Sequence, residues 1–183
     1  GGDLIAWLGW RAPIRSTAQR ELARGAIGDG SEWTRVTGIV PQSLGEALRA
    51  RPASVQERWF TRLYLLKPLA LFVFALFWLT TGLVTLGPGW GRAMVVIEAT
   101  AAAPVAEMLV IGGALLDLVI GGAMLFRRSA KAALIAALAT TCLYVVLGSL
   151  LAPWLWADPL GPMLKVWPIL AFNLICLAIL DER

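Results

Sequence analysis

A single carboxylate, Asp117, lies in the middle of a long apolar segment and is the strongest candidate in this sequence for a chemical role. Ionisable residues at membrane depth are rare, and they often mark pathways for protons or ligands. Two interpretations stay open: Asp117 exchanges a proton or orients a ligand, or it is a structural carboxyl bonded to a neighbouring helix. The sequence favours the structural interpretation, because Thr140, Thr141 and Asn173 occur at similar depth and offer hydrogen-bond partners.

Small residues accompany Asp117 along its segment. Gly113, Asp117 and Gly121 recur every four residues and therefore share one face of a helix. Small residues at this spacing let a second helix approach closely. We predict that this face packs against another helix and that Asn173 is a further packing residue. Tyr144 could also bond across helices, although a single tyrosine in such a segment is usually a packing residue.

The sequence contains no histidine and two cysteines. Without imidazole, the chain alone builds no Ser-His-Asp site, no Cys-His nucleophile and no His-ligated haem or metal. Cys142 and Cys176 lie in apolar runs, are too few for a thiolate metal cage, and are expected to be buried packing residues. Glu98 and Glu107 are expected near a membrane boundary as solvated carboxylates. We therefore predict no metal or cofactor site in these residues and no catalytic candidate other than Asp117.

The composition is that of a membrane protein. Of the 183 residues, 58% are apolar and 15% are charged, and the mean hydropathy is +0.73, whereas a soluble domain is about 45–50% apolar and about 25% charged. Four apolar segments are each long enough to cross a bilayer as a helix: residues 66–86, 105–126, 130–151 and 162–180. Because only helices and closed barrels span membranes, we predict an all-α integral membrane four-helix bundle. A short helical cytoplasmic segment, residues 1–57, precedes this membrane domain, residues 58–183.

Basic residues indicate which helix ends face the cytoplasm. They are concentrated before the first span and in the turn between the second and third: Arg58, Arg62, Lys67, Arg127, Arg128 and Lys131. The other two connections contain only Arg92 and Lys165, so both termini are expected to be cytoplasmic. Tryptophan side chains favour the boundary between lipid and water. Those expected to mark the outer face are Trp90, Trp154, Trp156 and Trp167.

Residues 1–65 contain three helix-start patterns of the form Ser-x-x-Glu/Gln: Ser16 with Gln19, Ser43 with Glu46, and Ser54 with Glu57. Short helices are therefore expected, in a segment too small for a large core of its own. We expect this segment to pack on an upstream domain of a longer protein or on the membrane surface. Through Lys67 it has ten Lys or Arg against six acidic residues, which suits anionic lipid headgroups. The arginines are dispersed, which argues against nucleic-acid binding.

Several motifs in the membrane domain form a recognisable set. They are 58–69 (RWFTRLYLLKPL), 77–83 (FWLTTGL), 112–121 (GGALLDLVIG), the basic pair Arg127-Arg128, and 156–162 (WADPLGP). Together they resemble the pattern of the DoxX-like membrane family over residues 58–183. Members of that family are associated with membrane-bound redox complexes, including thiosulfate:quinone oxidoreduction. The resemblance implies a protein of the bacterial cytoplasmic membrane, linked to a quinone or a redox complex.

A second set of motifs precedes the membrane domain: 7–17 (WLGWRAPIRST), Trp33 with 37–39 (TGI), and 51–59 (RPASVQERW). They resemble the tail of an atypical short-chain dehydrogenase/reductase that carries a DoxX-like domain at its carboxy end. That resemblance implies an upstream Rossmann domain that binds NAD(P), and these residues contain no such nucleotide motif. Our leading hypothesis is a membrane anchor for a reductase domain at the cytoplasmic face. The alternative is a non-catalytic accessory subunit that packs against other membrane protein subunits.

Overall fold

The computed structural model describes residues 2–10, 16–25 and 28–180, so the middle of the 7–17 motif lies outside the described residues. All regular secondary structure in those ranges is helical, with no strand, which confirms the predicted all-α class. The chain divides into two compact units, Gly1–Leu66 and Lys67–Arg183.

Four short helices precede the longest helix in the described part of the first unit: α1 (Gly2–Trp7), α2 (Ser16–Arg24), α3 (Ser31–Thr37) and α4 (Leu44–Ala50). A capping box starts α4, as predicted. The Ser43 hydroxyl accepts from Glu46 N at 3.3 Å, and the Ser43 amide donates to Glu46 Oε2 at 2.9 Å. At Ser16, the hydroxyl donates to Asp3 Oδ1 at 3.3 Å. Gly38 ends α3 in the left-handed conformation, with φ of 71°, where a residue without a Cβ is favoured.

The longest helix, α5, runs for 32 residues from Val55 to Leu86. It begins with the other predicted capping box: Ser54 N donates to Glu57 Oε2 at 2.5 Å, and Glu57 N donates to Ser54 Oγ at 3.3 Å. Pro68 lies inside the helix and has no N–H, so the Tyr64 carbonyl lacks its usual intrahelical donor. The apolar part of α5 is Leu66–Leu86.

Three helical stretches are long and apolar enough to cross a membrane: Leu66–Leu86, Ala103–Met124 and Arg127–Leu151. The second contains α7 (Ala106–Met124), preceded by a short 3₁₀ turn, and the third is α8. Most of their side chains are apolar, and fewer than a third are buried inside the protein, so much of their surface would contact acyl chains. The chain is therefore an integral membrane protein.

The fourth apolar helix, α9 (Val166–Leu180), is shorter than expected, with 15 residues. It begins at Val166 rather than at residue 162, because Gly161 adopts a φ of 59° and the following residues form a turn closed by Lys165 N and Gly161 O at 3.0 Å. At 1.5 Å per residue, α9 is about 22 Å long. It is shorter than the roughly 30 Å hydrocarbon core of a typical bilayer.

The hairpin between α7 and α8 turns earlier than predicted. Arg127, Arg128 and Ser129 form the first turn of α8, and the reversal takes place at Leu125 and Phe126. The extended backbone of Phe126, with φ of −97° and ψ of 124°, separates the two helices. The Ser129 hydroxyl donates to the Ala123 carbonyl at 2.7 Å and so joins the two helix ends.

The connection between α5 and α7 contains the short helix expected there, α6 (Trp90–Glu98). A tight turn precedes it, in which Gly89 N donates to Val84 O at 2.7 Å. A Cβ at Gly89 would lie 2.8 Å from the same carbonyl oxygen, so a larger residue does not fit this turn.

The core of the second unit lies between its long helices. Helix α7 packs on α8, and α8 packs on α9, while Phe74 of α5 meets Phe172 of α9 edge to face at 5.3 Å. Cys176 is fully buried, as expected, but the expectation for Cys142 is wrong: its side chain is exposed. Thr140 and Thr141 lie on the buried face of α8. Cys142 follows about 100° further round the helix axis, and its side chain therefore leaves the buried face.

Candidate functional site

Asp117 pairs with a tyrosine across the hairpin. Its side chain is 4% exposed, and its Oδ1 accepts a hydrogen bond from Tyr144 Oη at 3.1 Å. The same hydroxyl lies 3.5 Å from the Gly113 carbonyl, at the limit of hydrogen bonding. The structure therefore gives Asp117 an interhelical partner, as the structural interpretation requires. The partner is Tyr144 of α8 and not the threonines or Asn173 suggested by the sequence.

Gly113 provides the space that this pair needs. A Cβ at Gly113 would lie 3.2 Å from Tyr144 Oη, closer than most Cβ contacts. The tyrosine side chain reaches toward the start of its own helix, as long side chains on helices do. In an antiparallel hairpin, the start of α8 lies beside the end of α7. The Tyr144 side chain therefore points toward the turn, and its hydroxyl reaches Asp117.

The glycines of α7 serve two different neighbours. Gly113 adjoins Tyr144 of α8, whereas a Cβ at Gly121 would lie 2.8 Å from Ala75 O and from Leu79 N of α5. On the other side of this contact, a Cβ at Gly82 of α5 would lie 2.7 Å from the Ala114 carbonyl oxygen of α7. The small residues thus bring α5 and α7 to backbone contact near both ends of the crossing. The glycines of this face therefore contact two helices, α5 and α8, rather than the one helix that we predicted.

Other buried polar side chains occur near the middle of the same four helices. Asn173 of α9 is 0% exposed, and Trp78 of α5 is 3% exposed. Within the described ranges, neither the Asn173 amide atoms nor Trp78 Nε1 has a hydrogen-bond partner. The Thr141 hydroxyl donates to Ala137 O of its own helix at 2.7 Å. We call the set the mid-bundle polar layer: Trp78, Asp117, Thr140, Thr141, Tyr144 and Asn173.

The two ends of the bundle differ in chemistry. At one end, the Lys67 ammonium donates to the Leu180 carbonyl at 3.0 Å, which places a cation at the carboxy-terminal end of α9. Arg127 and Arg128 are exposed at the turn between α7 and α8, which the alternation of the helices puts at this same end. The tryptophans predicted for the other boundary lie at the opposite helix ends: Trp90, Trp154, Trp156 and Trp167. Among these, Trp156 Nε1 donates to Ser149 Oγ at 3.1 Å.

A family model for the DoxX-like family matches residues 75–174, more than half of the sequence. The chain belongs to the DoxX-like family. The match includes every residue of the mid-bundle polar layer, and it does not extend to the motifs at 7–59 that resemble a reductase tail. No curated protein and no solved structure matches the sequence.

The chemistry available inside this DoxX-like bundle is proton donation, proton acceptance and hydrogen bonding. Tyr144 and Asp117 form a hydroxyl–carboxyl pair, and the Asn173 amide offers one acceptor and two donor hydrogens. In the part of the chain that the structure describes, no group of three or more Cys, Asp or Glu side chains could hold a metal ion. The layer has the composition of a helix-joining or proton-exchanging site.

An open cleft of about 630 Å³ lies elsewhere in the DoxX-like bundle, between α6 and the start of α7. Its lining is mostly apolar and includes Met94, Pro104, Met108 and Ile111, with the carboxylate of Glu107. None of the lining residues belongs to the mid-bundle polar layer. The cleft and the polar layer are therefore separate features.

Sequence reasoning did not identify Tyr144 as the partner of Asp117. The available signal was that the two residues lie on adjoining helices of one hairpin, with a glycine one turn before Asp117 to admit the tyrosine hydroxyl. Trp78 was also missed, because an indole in an apolar run looks like any other core residue until its N–H is found to be buried.

Proposed function

We propose that this DoxX-like bundle anchors an oxidoreductase domain of the short-chain dehydrogenase/reductase type at the cytoplasmic face of the membrane. Residues 1–57 would belong to the reductase part, and residues 58–183 would form the anchor. The basic character of the bundle end that holds Lys67, Arg127 and Arg128 supports this orientation, because basic residues flank the cytoplasmic ends of membrane helices.

The observation that carries the proposal is that the described residues of the first unit form no buried core. None of its described side chains is buried, although each of α2, α3 and α4 has an apolar stripe. The stripe residues are all more than half exposed: Leu22, Trp33, Val36, Leu44 and Leu48. Apolar stripes of this kind are normally covered by another surface. The surface of a reductase domain would cover them, in line with the reductase-like motifs in this segment.

The NAD(P) of such an enzyme would not be held by the residues that the structure describes. A dinucleotide site needs a strand followed by a glycine-rich turn at a helix start, and the described ranges contain helices and turns without a strand. The cofactor and the catalytic residues would therefore belong to a domain outside this chain. What this chain contributes is attachment, orientation and a membrane-embedded polar layer.

A truncation of the full-length protein tests the anchor role. We expect the complete protein to sediment with membranes, and a version that stops before Leu66 to be soluble and to retain NAD(P)H binding, measured by nucleotide fluorescence. A truncated protein that remains firmly in the membrane fraction would overturn the proposal. So would a soluble product that binds no dinucleotide, because it would leave nothing for the bundle to anchor.

A matched control replaces residues 66–183 with one unrelated transmembrane helix of the same orientation. An anchor acts only by location, so this chimaera should return the protein to the membrane and restore its activity there. If the chimaera reaches the membrane without recovering activity in membranes, the bundle has a role beyond attachment.

The second candidate function is a non-catalytic accessory subunit of a larger membrane complex. One observation favours it: the space beside Gly112 and Gly122 of α7 is open, since a Cβ at either position would have no atom within 4 Å. The exposed Leu115 and Val119 lie between these two glycines. A partner helix could approach α7 closely at such positions. Purification in mild detergent with mass determination by light scattering tests this function. A protein that is always monomeric would count against it, as would a complex that survives Gly112→Leu and Gly122→Leu.

A further inference from the structure

An open cleft of about 260 Å³ lies along the first turns of α5, separate from the polar layer and from the apolar stripes of α2 to α4. Its lining residues are Ala53, Glu57, Arg58, Thr61 and Arg62. Arg58 and Arg62 are four residues apart, so their side chains are neighbours on one face of the helix. Both side chains are exposed. Two arginine residues therefore line one small cleft.

The guanidinium groups are the available hydrogen-bond donors in this cleft. Of the ion pairs in the described ranges, one joins Arg24 to Glu21 and the other joins Arg35 to Glu32, so neither involves Arg58 or Arg62.

The other polar groups of the cleft are already engaged. The Glu57 carboxylate accepts from Ser54 N, and this backbone bond, with the Ser54 side chain, holds the pKa of Glu57 below its usual range. The Thr61 hydroxyl donates to Glu57 O at 2.8 Å. An anion entering the cleft would meet two arginines outside these ion pairs and one carboxylate that is tied to the helix cap.

The position of the cleft along α5 matches the headgroup region of a bilayer. The apolar span begins at Leu66, which lies one turn after Arg62 on the same face and is exposed. At 1.5 Å per residue, Arg62 and Arg58 lie about 6 and 12 Å outside that span. Trp59 and Tyr64, at the same level, are exposed aromatic residues of the type enriched at membrane boundaries. The sequence has no acidic residue from Arg58 until Glu98.

We infer that Arg58 and Arg62 form a binding site for the phosphate of an anionic phospholipid. Guanidinium groups bind phosphate oxygens through paired, charge-assisted hydrogen bonds. The same chemistry would serve a free phosphate ion, but Leu66 follows Arg62 by one turn on the same face, where the apolar span begins and an acyl chain would lie. A phospholipid satisfies both the cationic and the apolar part of this face. The inference stands independently of the proposed reductase domain.

The test uses the full-length protein, delipidated in mild detergent and titrated with phosphatidylglycerol or phosphatidylcholine. Bound lipid is counted by native mass spectrometry. We expect phosphatidylglycerol to be retained in preference to phosphatidylcholine. Arg58→Gln with Arg62→Gln should weaken phosphatidylglycerol binding by on the order of tenfold, since each basic residue near an anionic surface contributes appreciably.

The matched control removes the same charge elsewhere, by Arg24→Gln with Arg35→Gln, and should leave phosphatidylglycerol retention unchanged. Circular dichroism of both double variants should show unchanged helix content, because all four arginines are exposed. Equal retention by the Arg58/Arg62 variant and the wild type would overturn the site, as would an equal loss in the control. Displacement of the lipid from the wild type by millimolar inorganic phosphate would assign the cleft to free phosphate and overturn the lipid assignment.

Discussion

The residues from Lys67 onward bury apolar side chains between helices, whereas none of the described side chains before Lys67 is buried. Ile120, Met124 and Leu134 are nearly or fully enclosed in the bundle, while Leu22 and Trp33 of the first unit are largely exposed. The polar groups differ in the same way. The bundle pairs Asp117 with Tyr144 across two helices, and the first unit satisfies Glu46 and Glu57 within single helix caps.

This difference shows which interactions each unit relies on. The bundle is held by contacts between residues distant in sequence, so a change at a helix crossing should affect the whole unit. In the first unit, α4 and α5 begin with local caps, and the apolar stripes of the short helices are uncovered. Substitutions inside the bundle should therefore change its global stability, whereas loss of a cap should be felt only locally.

Gly121→Leu should destabilise the bundle by more than the loss of any single hydrogen bond within it. A Cβ at this position would lie 2.8 Å from backbone atoms of Ala75 and Leu79, which cannot move without shifting α5. Overpacking of a core typically costs about 1–3 kcal/mol, and thermal unfolding in detergent measures the loss. Gly122→Leu is the matched control, since no atom lies within 4 Å of its Cβ. Equal stability of the two variants would contradict the α5–α7 contact.

Asn173→Val should stabilise the bundle by about 1 kcal/mol, because an unpartnered buried amide carries a desolvation penalty of about 1–3 kcal/mol. The amide is fully buried, and its nitrogen and oxygen have no partner among the described residues. The same detergent melting assay applies, with Asn173→Asp as a comparison that keeps the polarity. A clear loss of stability in the valine variant would show that water or a ligand satisfies the amide.

The hydrogen bond between Tyr144 and Asp117 should give a measurable coupling energy in a double-mutant cycle. Tyr144→Phe and Asp117→Leu each remove one partner of the 3.1 Å bond. Interhelical hydrogen bonds in membranes contribute about 0.6 kcal/mol on average and up to about 1.7, so we expect a coupling in that range. A cycle between Tyr144 and Asn173 is the control and should show none. Additive effects of Tyr144→Phe and Asp117→Leu would refute the pairing.

The caps of α4 and α5 should weaken in acid. The Ser43 side chain and backbone lower the pKa of Glu46 from its ordinary value of 4.5, and the Ser54 backbone and side chain lower the pKa of Glu57. A lowered pKa means that the ionised carboxylate stabilises the cap above pH 4.5 and that this stabilisation is lost as the pH falls through the folded pKa.

Hydrogen exchange at the Ser43 and Ser54 amides measures this loss, because both amides donate to the carboxylates. Glu46→Gln keeps an acceptor while removing the titration, so its exchange at Ser43 should lose the acid-dependent step. An unchanged step in that variant would show that another group titrates.

The sequence predicted the helices better than the contacts between them. Leu66–Leu86 was recognisable because composition and length alone define a spanning helix, and the Ser43 and Ser54 caps follow from local spacing. The late start of α9 depends on the left-handed backbone of Gly161, and the exposure of Cys142 depends on which face of α8 packs inward.

The candidate site was predicted only in part, because it too depends on contacts between helices. Asp117 stood out as a carboxyl at membrane depth, but its partner depends on the relative height of two helices in the hairpin. The reversal at Phe126, rather than at the arginines, shifts the register of α8 against α7, and spacing along the sequence does not give this register. The sequence named both Tyr144 and Asn173, but spacing along the chain assigned neither the Tyr144–Asp117 bond nor the lack of a partner at Asn173, because both depend on how neighbouring helices pack.

If the bundle attaches the protein to the membrane and Asp117 is a structural part of it, the carboxyl group itself should be dispensable for activity. Asp117→Asn keeps the size of the side chain and an acceptor for Tyr144 while removing the carboxyl that could exchange a proton. The decisive measurement is redox activity of the intact protein in membranes, alongside its melting temperature in detergent. We predict that the Asn variant is stable and active. A variant that is as stable as the wild type but inactive would contradict the structural role and favour proton exchange or ligand orientation by Asp117.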